Sequence, residues 1–547
     1  MTLDSSVELG RSAHVDTFCR DNLPDPHTWP DFEFDLPELR YPDRLNCAAE
    51  LLDAVVRRFG PDRRCLLSTT GETWTYGDLL GTVNQLAHVL CDELGVLPGN
   101  RVLLRGPNNP WLAACWLAVL KAGAVAVTTM PLLRPHEIAT IAEIAHVDLA
   151  LCDARFVDDL RKADLGGAPI IGYGADAADD LTVRARTAAP QFDAVDTSAD
   201  DVALLAFTSG TTGRPKATMH FHRDVLAMAD TFSQHVVRPN PDDLFTGTPP
   251  LAFTFGLGGL LVFPLRAGAA TLLLEKATPD ELADAIAAHQ VSVCFTAPTA
   301  YRAMLATGDV ERLRSLRRAV AAGEHLPKAT WLAFHEATGV ALIDGIGSTE
   351  MLHVFVSAAD DDIVPGATGR AVPGYRATIL DDDGAAVPAG TAGRLAVKGP
   401  TGCRYLADPR QQVYVQNGWN LTGDTFVQDE NGYFHFQARD DDMIISSGYN
   451  IAGPEVEEAL MSHPAVLECC VVGVADPARG QLVKAYVVRS DGGSEGGDAL
   501  VAQLQAHAKE QIAPYKYPRV IEFVPALPRT STGKIQRFVL RARAEQR

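Results

Sequence analysis

The sequence lacks the features that mark secreted, membrane-spanning or nucleic-acid-binding proteins. None of its ten cysteines stands in a CxxC pair, which predicts buried free thiols in a reducing cytoplasm rather than disulfides or a metal cluster. The N-terminus has no basic stretch followed by an apolar core, so we expect no signal peptide and a cytoplasmic protein. The net charge of −21, from 69 acidic and 48 basic residues, argues against nucleic acid or an anionic membrane as the main partner.

Long uninterrupted hydrophobic runs are also absent. The two most apolar stretches, 111–130 and 257–274, are each broken by glycine and by a charge, Lys121 in one and Arg266 in the other. We interpret both as buried βα units rather than membrane spans. With 47% hydrophobic and 21% charged residues the composition is that of a soluble globular protein, and 547 residues are too many for one ordinary domain.

Residues 45–300 alternate short apolar strands with amphipathic helices. This alternation is typical of a layered α/β architecture with largely parallel sheets. From about 365 to 438 the strands become shorter and the turns denser, which predicts a small β subdomain. A polar break at 438–442 precedes a separate βα pattern, so we place a domain boundary at about residue 440. Among the expected elements are strands at 101–104, 124–128, 202–207 and 291–295 and a helix at 110–122.

The segment Thr208-Ser-Gly-Thr-Thr-Gly-Arg-Pro-Lys216 follows an apolar strand and packs hydroxyls, glycines and a lysine into nine residues. Glycines let backbone N–H groups point inward, hydroxyls add donors and the lysine adds charge, so the loop can wrap a polyphosphate. It is not a Walker loop, because no Gly-Lys-Ser/Thr step occurs. From composition alone, a plain flexible turn remains an alternative.

As a string, the same segment resembles the signature of the adenylate-forming superfamily, which includes acyl-CoA synthetases, adenylation domains and firefly-type luciferases. The resemblance extends from Trp74 over nearly the whole chain. Further segments resemble, in the family's order, its adenine and magnesium loop, its ribose motif, its hinge and its C-terminal catalytic loop. They are Asp344-Gly-Ile-Gly-Ser-Thr-Glu350, Thr422-Gly-Asp424, Arg439-Asp-Asp-Asp-Met-Ile444 and Pro528-Arg-Thr-Ser-Thr-Gly-Lys534.

The resemblance implies that ATP activates a carboxylic acid, a reaction in which two anions meet and charge must be neutralised. It makes Thr208, Glu350 and Lys534 the catalytic residues. Glu350 and Thr211 are the implied ligands of Mg²⁺, which prefers hard oxygen donors. The implied phosphate-binding residues are Thr208, Ser209, Gly210, Thr211, Thr212, Gly213 and Lys216.

The nucleoside would lie against residues from three other segments. Asp424 is expected to accept both ribose hydroxyls and Arg439 to contact the ribose. The alternatives are a turn-capping aspartate and a surface salt bridge. The residues expected around the adenine are Gly323, Glu324, Asp344, Gly345 and Thr349. For Gly323 and Glu324 a purely structural role is a strong alternative, because the expected contacts are largely with the backbone.

The resemblance also implies two domains that move against each other. Residues 1–440 would form the N-terminal ATP- and acid-binding domain, and residues 441–547 a smaller, mobile α+β C-terminal domain. Lys534 would serve the first step, adenylate formation. Rotation about the hinge residue Asp441 would then bring in the loop at 446–450, where Gly448 would line the tunnel for the pantetheine arm of coenzyme A.

The segment 249–259 and the form of the Asp344 motif resemble benzoate and 2-aminobenzoate CoA ligases. Phe255 could form one wall for a flat ring by offset stacking. Thr254 either bonds an ortho substituent or simply packs, and His353 either approaches the substrate or is a core histidine. The residues expected to bind the acid are Phe253, Thr254, Phe255, Gly256, Gly345, Ile346, Gly347 and His353.

We therefore expect an aryl acid CoA ligase that uses ATP, Mg²⁺ and coenzyme A on benzoate, 2-aminobenzoate or 2-hydroxybenzoate. A stand-alone enzyme that loads a phosphopantetheine carrier protein is the alternative. Luciferase-type oxygenation ranks lower. A non-catalytic nucleotide-binding regulator also ranks lower, since Lys216, Glu350, Asp424 and Lys534 are all present. The resemblance also suggests a homodimer.

Overall fold

A computed structural model describes residues 9–175, 177–208, 215–439, 442–446, 449–476, 480–493, 497–512, 516–529 and 535–545. Within these ranges no helix is both long and apolar enough to span a membrane. The α-helices are α1 Phe18–Asp21, α2 Ala54–Phe59, α3 Tyr76–His88, α4 Pro110–Lys121, α5 Pro135–Ala145, α6 Val157–Arg161, α7 Leu181–Ala185, α8 His222–Met228, α9 Thr254–Leu257, α10 Phe263–Ala267, α11 Pro279–His289, α12 Pro298–Ala306, α13 Lys328–Thr338, α14 Gln411–Tyr414, α15 Gly453–Met461, α16 Asp498–Gln511 and α17 Arg537–Glu545.

The strands of the first 380 residues form the two large sheets and the start of a third. They are β1 Arg64–Ser68, β2 Thr73–Thr75, β3 Arg101–Arg105, β4 Val125–Thr129, β5 Leu149–Asp153, β6 Ile170–Tyr173, β7 Val202–Thr208, β8 Lys216–Phe221, β9 Leu244–Gly247, β10 Ala270–Leu273, β11 Val293–Thr296, β12 Arg318–Ala322, β13 Leu342–Gly347, β14 Val354–Ser357, β15 Arg370–Ala371 and β16 Arg376–Leu380. The later strands are β17 Ala392–Lys398, β18 Val415–Gln416, β19 Trp419–Gln428, β20 Phe434–Arg439, β21 Ile444–Ser446, β22 Tyr449–Ile451, β23 Val466–Asp476, β24 Gly480–Arg489 and β25 Val520–Phe523.

Sheet A has the strand order β6-β5-β3-β4-β7-β8 and is parallel except for its last strand. Sheet B has the order β15-β14-β13-β12-β11-β9-β10-β1-β2, with a parallel centre and antiparallel strands at both ends. The expected βα alternation is therefore confirmed. The strand expected at 291–295 lies at Val293–Thr296 instead.

Helix α4 explains one of the apolar runs in the sequence. It contacts β3 and β4 of sheet A and also β1 of sheet B. Eleven of its residues are buried, including Trp116 and the charged Lys121. The Lys121 ammonium is held by Asp53 at 2.7 Å and by Asn84 at 2.5 Å. A helix covered on all sides must be apolar nearly all round, so this run belongs to the core between two sheets.

The small β subdomain is sheet C, with the order β16-β17-β19-β18 and β20 beside β19. It begins later than the sequence pattern suggests, because Arg370–Ala371 pairs with β14 and so belongs to sheet B. Sheet C positions β19 and β20 so that Asp424 and Arg439 are direct antiparallel partners.

The C-terminal sheet D has the order β22-β21-β24-β23, with β25 beside β24. Helices α15 and α17 both pack on β23, and Cys469 and Cys470 in that strand are buried free thiols, as predicted. Burial raises the pKa of the Cys470 thiol to about 12, so it stays protonated. The predicted fold class is confirmed: a large N-terminal part with layered α/β sheets and a small β subdomain, followed by a smaller α+β unit.

Candidate active site

The two ends of the predicted phosphate loop lie side by side in sheet A, on the neighbouring strands β7 and β8. Thr208 is the last residue of β7 and pairs directly with Lys216, the first residue of β8. The predicted phosphate-binding residues between them lie outside the described residues. These are Ser209, Gly210, Thr211, Thr212 and Gly213.

Lys216 meets the predicted magnesium ligand Glu350. The Lys216 Nζ atom lies 3.5 Å from Glu350 Oε1 and donates to the Tyr405 hydroxyl at 2.6 Å. That hydroxyl in turn donates to Glu350 Oε1 at 2.5 Å. The structure therefore places the predicted cationic and anionic groups in one partly buried cluster with Tyr405 as the link.

Tyr405 and Tyr414 form an aromatic wall around the ammonium group. Lys216 Nζ lies 4.5 Å from the centre of the Tyr405 ring and 5.9 Å from that of Tyr414. Burial, followed by the nearby Glu350 carboxylate, raises the pKa of both phenols well above the ordinary value, so both stay protonated as donors. Cation–π attraction and hydrogen bonding together fix the position of Lys216.

Tyr405 lies on the segment 404–406, which the sequence does not predict to be part of the site. The Met219 N–H donates to the Arg404 carbonyl at 2.8 Å, and the Leu406 N–H donates to the Ala217 carbonyl at 2.9 Å. The segment thus lies along β8 like an extra strand. Its composition carries no signal for this, because the contact joins residues almost 190 positions apart in the chain.

His220 is a second residue of the site that the sequence does not predict. It is fully buried on β8, and its Nε2 atom bonds the Thr349 carbonyl at 2.8 Å. Burial lowers the pKa of His220 to about 4, so the ring is neutral and Nε2–H is the donor. Through this bond β8, which carries Lys216, holds the turn that carries Thr349 and Glu350.

The two predicted ribose residues are brought together. Arg439 Nη1 lies 3.0 Å from Asp424 Oδ1, and the aspartate is 7% exposed. Gly423 before it has φ +73°, a left-handed conformation that favours glycine, and a Cβ there would lie 3.2 Å from Arg439 Nη2. The Gly423 backbone thus lets arginine and carboxylate stay side by side.

The predicted adenine residues meet through the register of sheet B. Ala321 pairs with Asp344 and Ala322 pairs with Gly345, so Gly323 and Glu324 leave β12 beside the Asp344 motif. The Glu324 Oε1 atom accepts from the Thr299 hydroxyl at 2.5 Å. Burial raises the pKa of Asp344 to about 8. Hydrogen bonds from the Gly345 N–H and the Thr368 hydroxyl stabilise the carboxylate and partly oppose this rise.

The predicted acid-binding residues Phe255 and His353 lie together in an aromatic cluster. Their ring centres are 5.6 Å apart, and His353 lies 4.6 Å from Phe263 and 5.3 Å from Phe232. His353 is 2% exposed, and burial lowers its pKa to about 3, so it is neutral. Neither ring nitrogen makes a hydrogen bond of normal geometry to a described residue.

Several glycines of this region allow close packing. A Cβ on Gly258 would lie 2.4 Å from His353 Cδ2, and one on Gly256 would lie 2.1 Å from the Pro250 carbonyl oxygen. At Gly345 a Cβ would meet Val354 at 2.8 Å, and at Gly347 the His353 carbonyl at 2.6 Å. Val354 and the His353 carbonyl thus occupy the space into which a Cβ of these last two glycines would project.

The remaining acid-binding residues flank the cluster. Ile346 lies between the two glycines on β13, and Phe253 precedes α9 with a partly exposed ring. Thr254 begins α9 and is 9% exposed. In the described part of the chain no hydrogen-bond partner is found for its hydroxyl, so both interpretations of Thr254 stay open.

Three hydrogen bonds hold main-chain atoms of residues 249–252, the loop before α9. The Asn108 amide donates to the Pro249 carbonyl at 2.9 Å and accepts from the Leu251 N–H at 2.7 Å. The Thr128 hydroxyl donates to the Ala252 carbonyl at 2.9 Å. These three bonds do not depend on the loop's own side chains, and Leu251 of the loop also packs in the hydrophobic core.

Three predicted residues of the C-terminal unit, Asp441, Gly448 and Lys534, lie outside the described residues. Beside the expected hinge, Asp442 Oδ1 bonds Arg541 at 2.7 Å, which ties it to α17. Within the described ranges no three His, Cys, Asp or Glu side chains are grouped as a metal site. Glu350 alone suits Mg²⁺, which commonly takes one or two carboxylates plus substrate phosphates and water.

Comparison with known proteins connects this geometry to a family. The family described as AMP-binding enzyme matches residues 52–405, and the AMP-binding enzyme C-terminal domain matches residues 455–534. The benzoate–CoA ligase of Thauera aromatica is 35% identical over 92% of this chain and 97% of its own length. The 3-hydroxybenzoate–CoA ligase of Aromatoleum sp. (strain CIB) is 33% identical over 91% of this chain and 96% of its own.

The solved structures to which this chain is similar include CoA ligases of aromatic acids, like the relatives above. The anthranilate CoA ligase AuaEII in complex with anthranoyl-AMP has a TM-score of 0.87 at 32% identity, covering 93% of this chain and 99% of its own. A benzoate CoA ligase from Burkholderia xenovorans LB400 has a TM-score of 0.84 at 32% identity, covering 91% of this chain and all of its own (100%).

Proposed function

Since the chain belongs to the AMP-binding enzyme family and is an acid–thiol ligase of the aryl acid CoA ligase group, we propose that its acid is benzoate or an ortho-substituted benzoate. The ortho-substituted candidates are 2-aminobenzoate and 2-hydroxybenzoate. The acid would react with ATP to give an aryl-adenylate and pyrophosphate, and coenzyme A would then displace AMP to give the aryl-CoA thioester.

The observation that carries the choice of acid is the aromatic cluster of Phe255 and His353. It is apolar and uncharged, because burial keeps the pKa of His353 near 3. An aromatic ring suits such surroundings, whereas an α-ammonium group would find no carboxylate partner among these side chains. Glu350 and His353 belong to the same turn between β13 and β14, so an acid beside His353 would lie near the charged cluster.

The first step needs neutralisation of phosphate charge, and the described side chains suit that task. Lys216 would bind phosphate oxygens as a cation, with its orientation fixed by Tyr405. Glu350 would hold Mg²⁺, which supplies additional positive charge when bound. Asp424 and Arg439 would bind the ribose, Gly323, Glu324 and Asp344 the adenine, and Lys534 would approach the reacting carboxylate.

A panel of acids tests the proposal. The purified full-length protein is incubated with ATP, Mg²⁺, coenzyme A and benzoate, 2-aminobenzoate, 2-hydroxybenzoate, 3-hydroxybenzoate, hexanoate or octanoate, and AMP and thioester are measured. We expect the highest kcat/KM with benzoate or one of its ortho-substituted forms. A preference for the fatty acids, or adenylate without thioester, would refute it.

Thr254→Ala separates the two interpretations of Thr254. If its hydroxyl bonds an ortho substituent, kcat/KM falls about tenfold for the ortho-substituted acids while that for benzoate changes little. An equal change for all three acids would mean that Thr254 only packs.

A further inference from the structure

Helix α12 carries two polar contacts on one face, three residues apart. Thr299 holds Glu324 in the loop predicted to flank the adenine, through its hydroxyl at 2.5 Å and its N–H at 3.3 Å. Arg302 points to the C-terminal unit. Positions i and i+3 lie on the same side of a helix, so α12 connects the predicted nucleotide loop to sheet D.

The partner of Arg302 is Glu468 on β23. Arg302 Nη2 lies 3.5 Å from Glu468 Oε2, and Arg302 Nη1 lies 3.6 Å from the Met461 sulfur at the end of α15. The Glu468 side chain is 17% exposed, and it also forms an ion pair with Arg529. A carboxylate withdrawn from water between two guanidinium groups is held more firmly than an exposed pair.

Arg529 stands at the base of the segment that contains Lys534. The base is closed by a bridge between Arg529 and Ile535 and by a bond of 2.8 Å from the Gln536 N–H to the Pro528 carbonyl. Residues 530–534 are thus bounded on both sides by paired backbone. Any force that fixes Arg529 also fixes the two ends of the lysine segment.

We propose that Arg302 is a positioning residue for adenylate formation. Through Glu468 and Arg529 it holds the base of the lysine segment against the helix that also holds Glu324. It would act without contacting nucleotide or acid. The inference rests on the proposed two-step reaction, in which Lys534 serves the first step, and it adds the group that docks the C-terminal unit for that step.

The test measures each half-reaction with the full-length Arg302→Met protein. Adenylate formation is followed by pyrophosphate release with ATP and the preferred aryl acid, and thioester formation by mixing coenzyme A with chemically prepared aryl-adenylate. We expect kcat of the first half-reaction to fall about tenfold, with KM for ATP and acid within about twofold and the second half-reaction unchanged. Lys534→Ala serves as the reference for a selective loss of the first half-reaction.

Further variants separate positioning from general damage. Glu468→Gln should show the same selective loss, Arg302→Met with Glu468→Gln should be no worse than either alone, and Arg302→Lys should recover part of the rate. Arg314→Met is the matched control, since Arg314 is exposed and pairs with Glu311 at 3.5 Å. Equal losses in both half-reactions, or no loss, would overturn the proposal. Failure of the unaltered protein to form any adenylate would instead refute the proposed function.

Discussion

Tyr405 is the side chain that joins the two charged groups of the candidate site. It accepts a hydrogen bond from Lys216 and donates one to Glu350, and its ring lies beneath the ammonium. Lys216 and Glu350 also form a direct ion pair at 3.5 Å. Tyr405 therefore adds a bridging hydrogen bond to a pair that is already in contact.

Tyr405→Phe removes both hydrogen bonds and keeps the ring. A hydrogen bond to a charged group is worth about 1.5–3 kcal/mol, so we expect the rate of ATP–pyrophosphate exchange to fall about tenfold or more. Tyr433→Phe is the control, because its hydroxyl bonds the Asp362 carbonyl at 3.0 Å. Unchanged exchange in Tyr405→Phe would show that Lys216 is positioned by other groups.

The sequence identifies those site residues that belong to motifs resembling the family's, which occur in the family's order. Lys216, Glu350, Asp424 and Arg439 belong to such motifs, and the structure brings the first two together and the last two together. Tyr405 and His220 could not be predicted. Each acts through a contact between distant parts of the chain, and a lone tyrosine or histidine in a sequence is most often a core residue.

Among the elements, the π-helical turn after α9, Gly258–Val262, closely approaches His353 in the turn between β13 and β14. Gly258 faces His353 so closely that a methyl group would lie 2.4 Å from Cδ2 and 2.7 Å from Nε2. Overpacking of a core costs about 1–3 kcal/mol. The position of this turn therefore sets the shape of the aromatic cluster.

Gly258→Ala should lower the apparent melting temperature by a few degrees and raise KM for the aryl acid, because the His353 and Phe255 rings must move. Gly81→Ala is the matched control. Gly81 lies within α3, and a Cβ there meets nothing within 4 Å. Equal melting temperatures and KM values for Gly258→Ala and the unaltered protein would contradict the close approach.

The elements were predictable where period and turn signals agree, as in α4 and β3, whose bounds match to within one residue. The strand with which each strand pairs in a sheet was not predictable. Nothing in the residues at 370–371 shows that they extend sheet B by pairing with β14 rather than joining sheet C. A short strand pairs with the sheet edge that lies beside it in the folded protein, and that depends on tertiary structure.

For the whole molecule, the raised pKa of Asp344 predicts that the free energy of unfolding depends on pH. Burial raises its pKa from 3.8 to about 8. Between these values the folded protein binds more protons at this site than the unfolded chain does. Stability contributed by the protonated form is thus present below pH 4 and is lost as the pH rises towards 8.

Asp344→Asn cannot ionise and should escape this loss. We expect the difference in apparent melting temperature, variant minus unaltered protein, to increase steadily from pH 5 to pH 8.5 in the absence of nucleotide. The control is Asp361→Asn, at an exposed aspartate. A difference that stays constant over the range would mean that Asp344 does not titrate there.

The hydrogen bonds that hold the loop before α9 have a consequence for how acid specificity can change in evolution. Asn108 and Thr128 grip carbonyl and amide groups that every residue type at 249–252 would offer, proline's missing N–H aside. We therefore expect that the side chains proposed to bind the acid can be exchanged one at a time while the main chain that carries them stays in place. The nucleotide half, fixed by the β12–β13 register, would not feel the exchange. On this expectation, a change of acid would require point substitutions and no change in loop length.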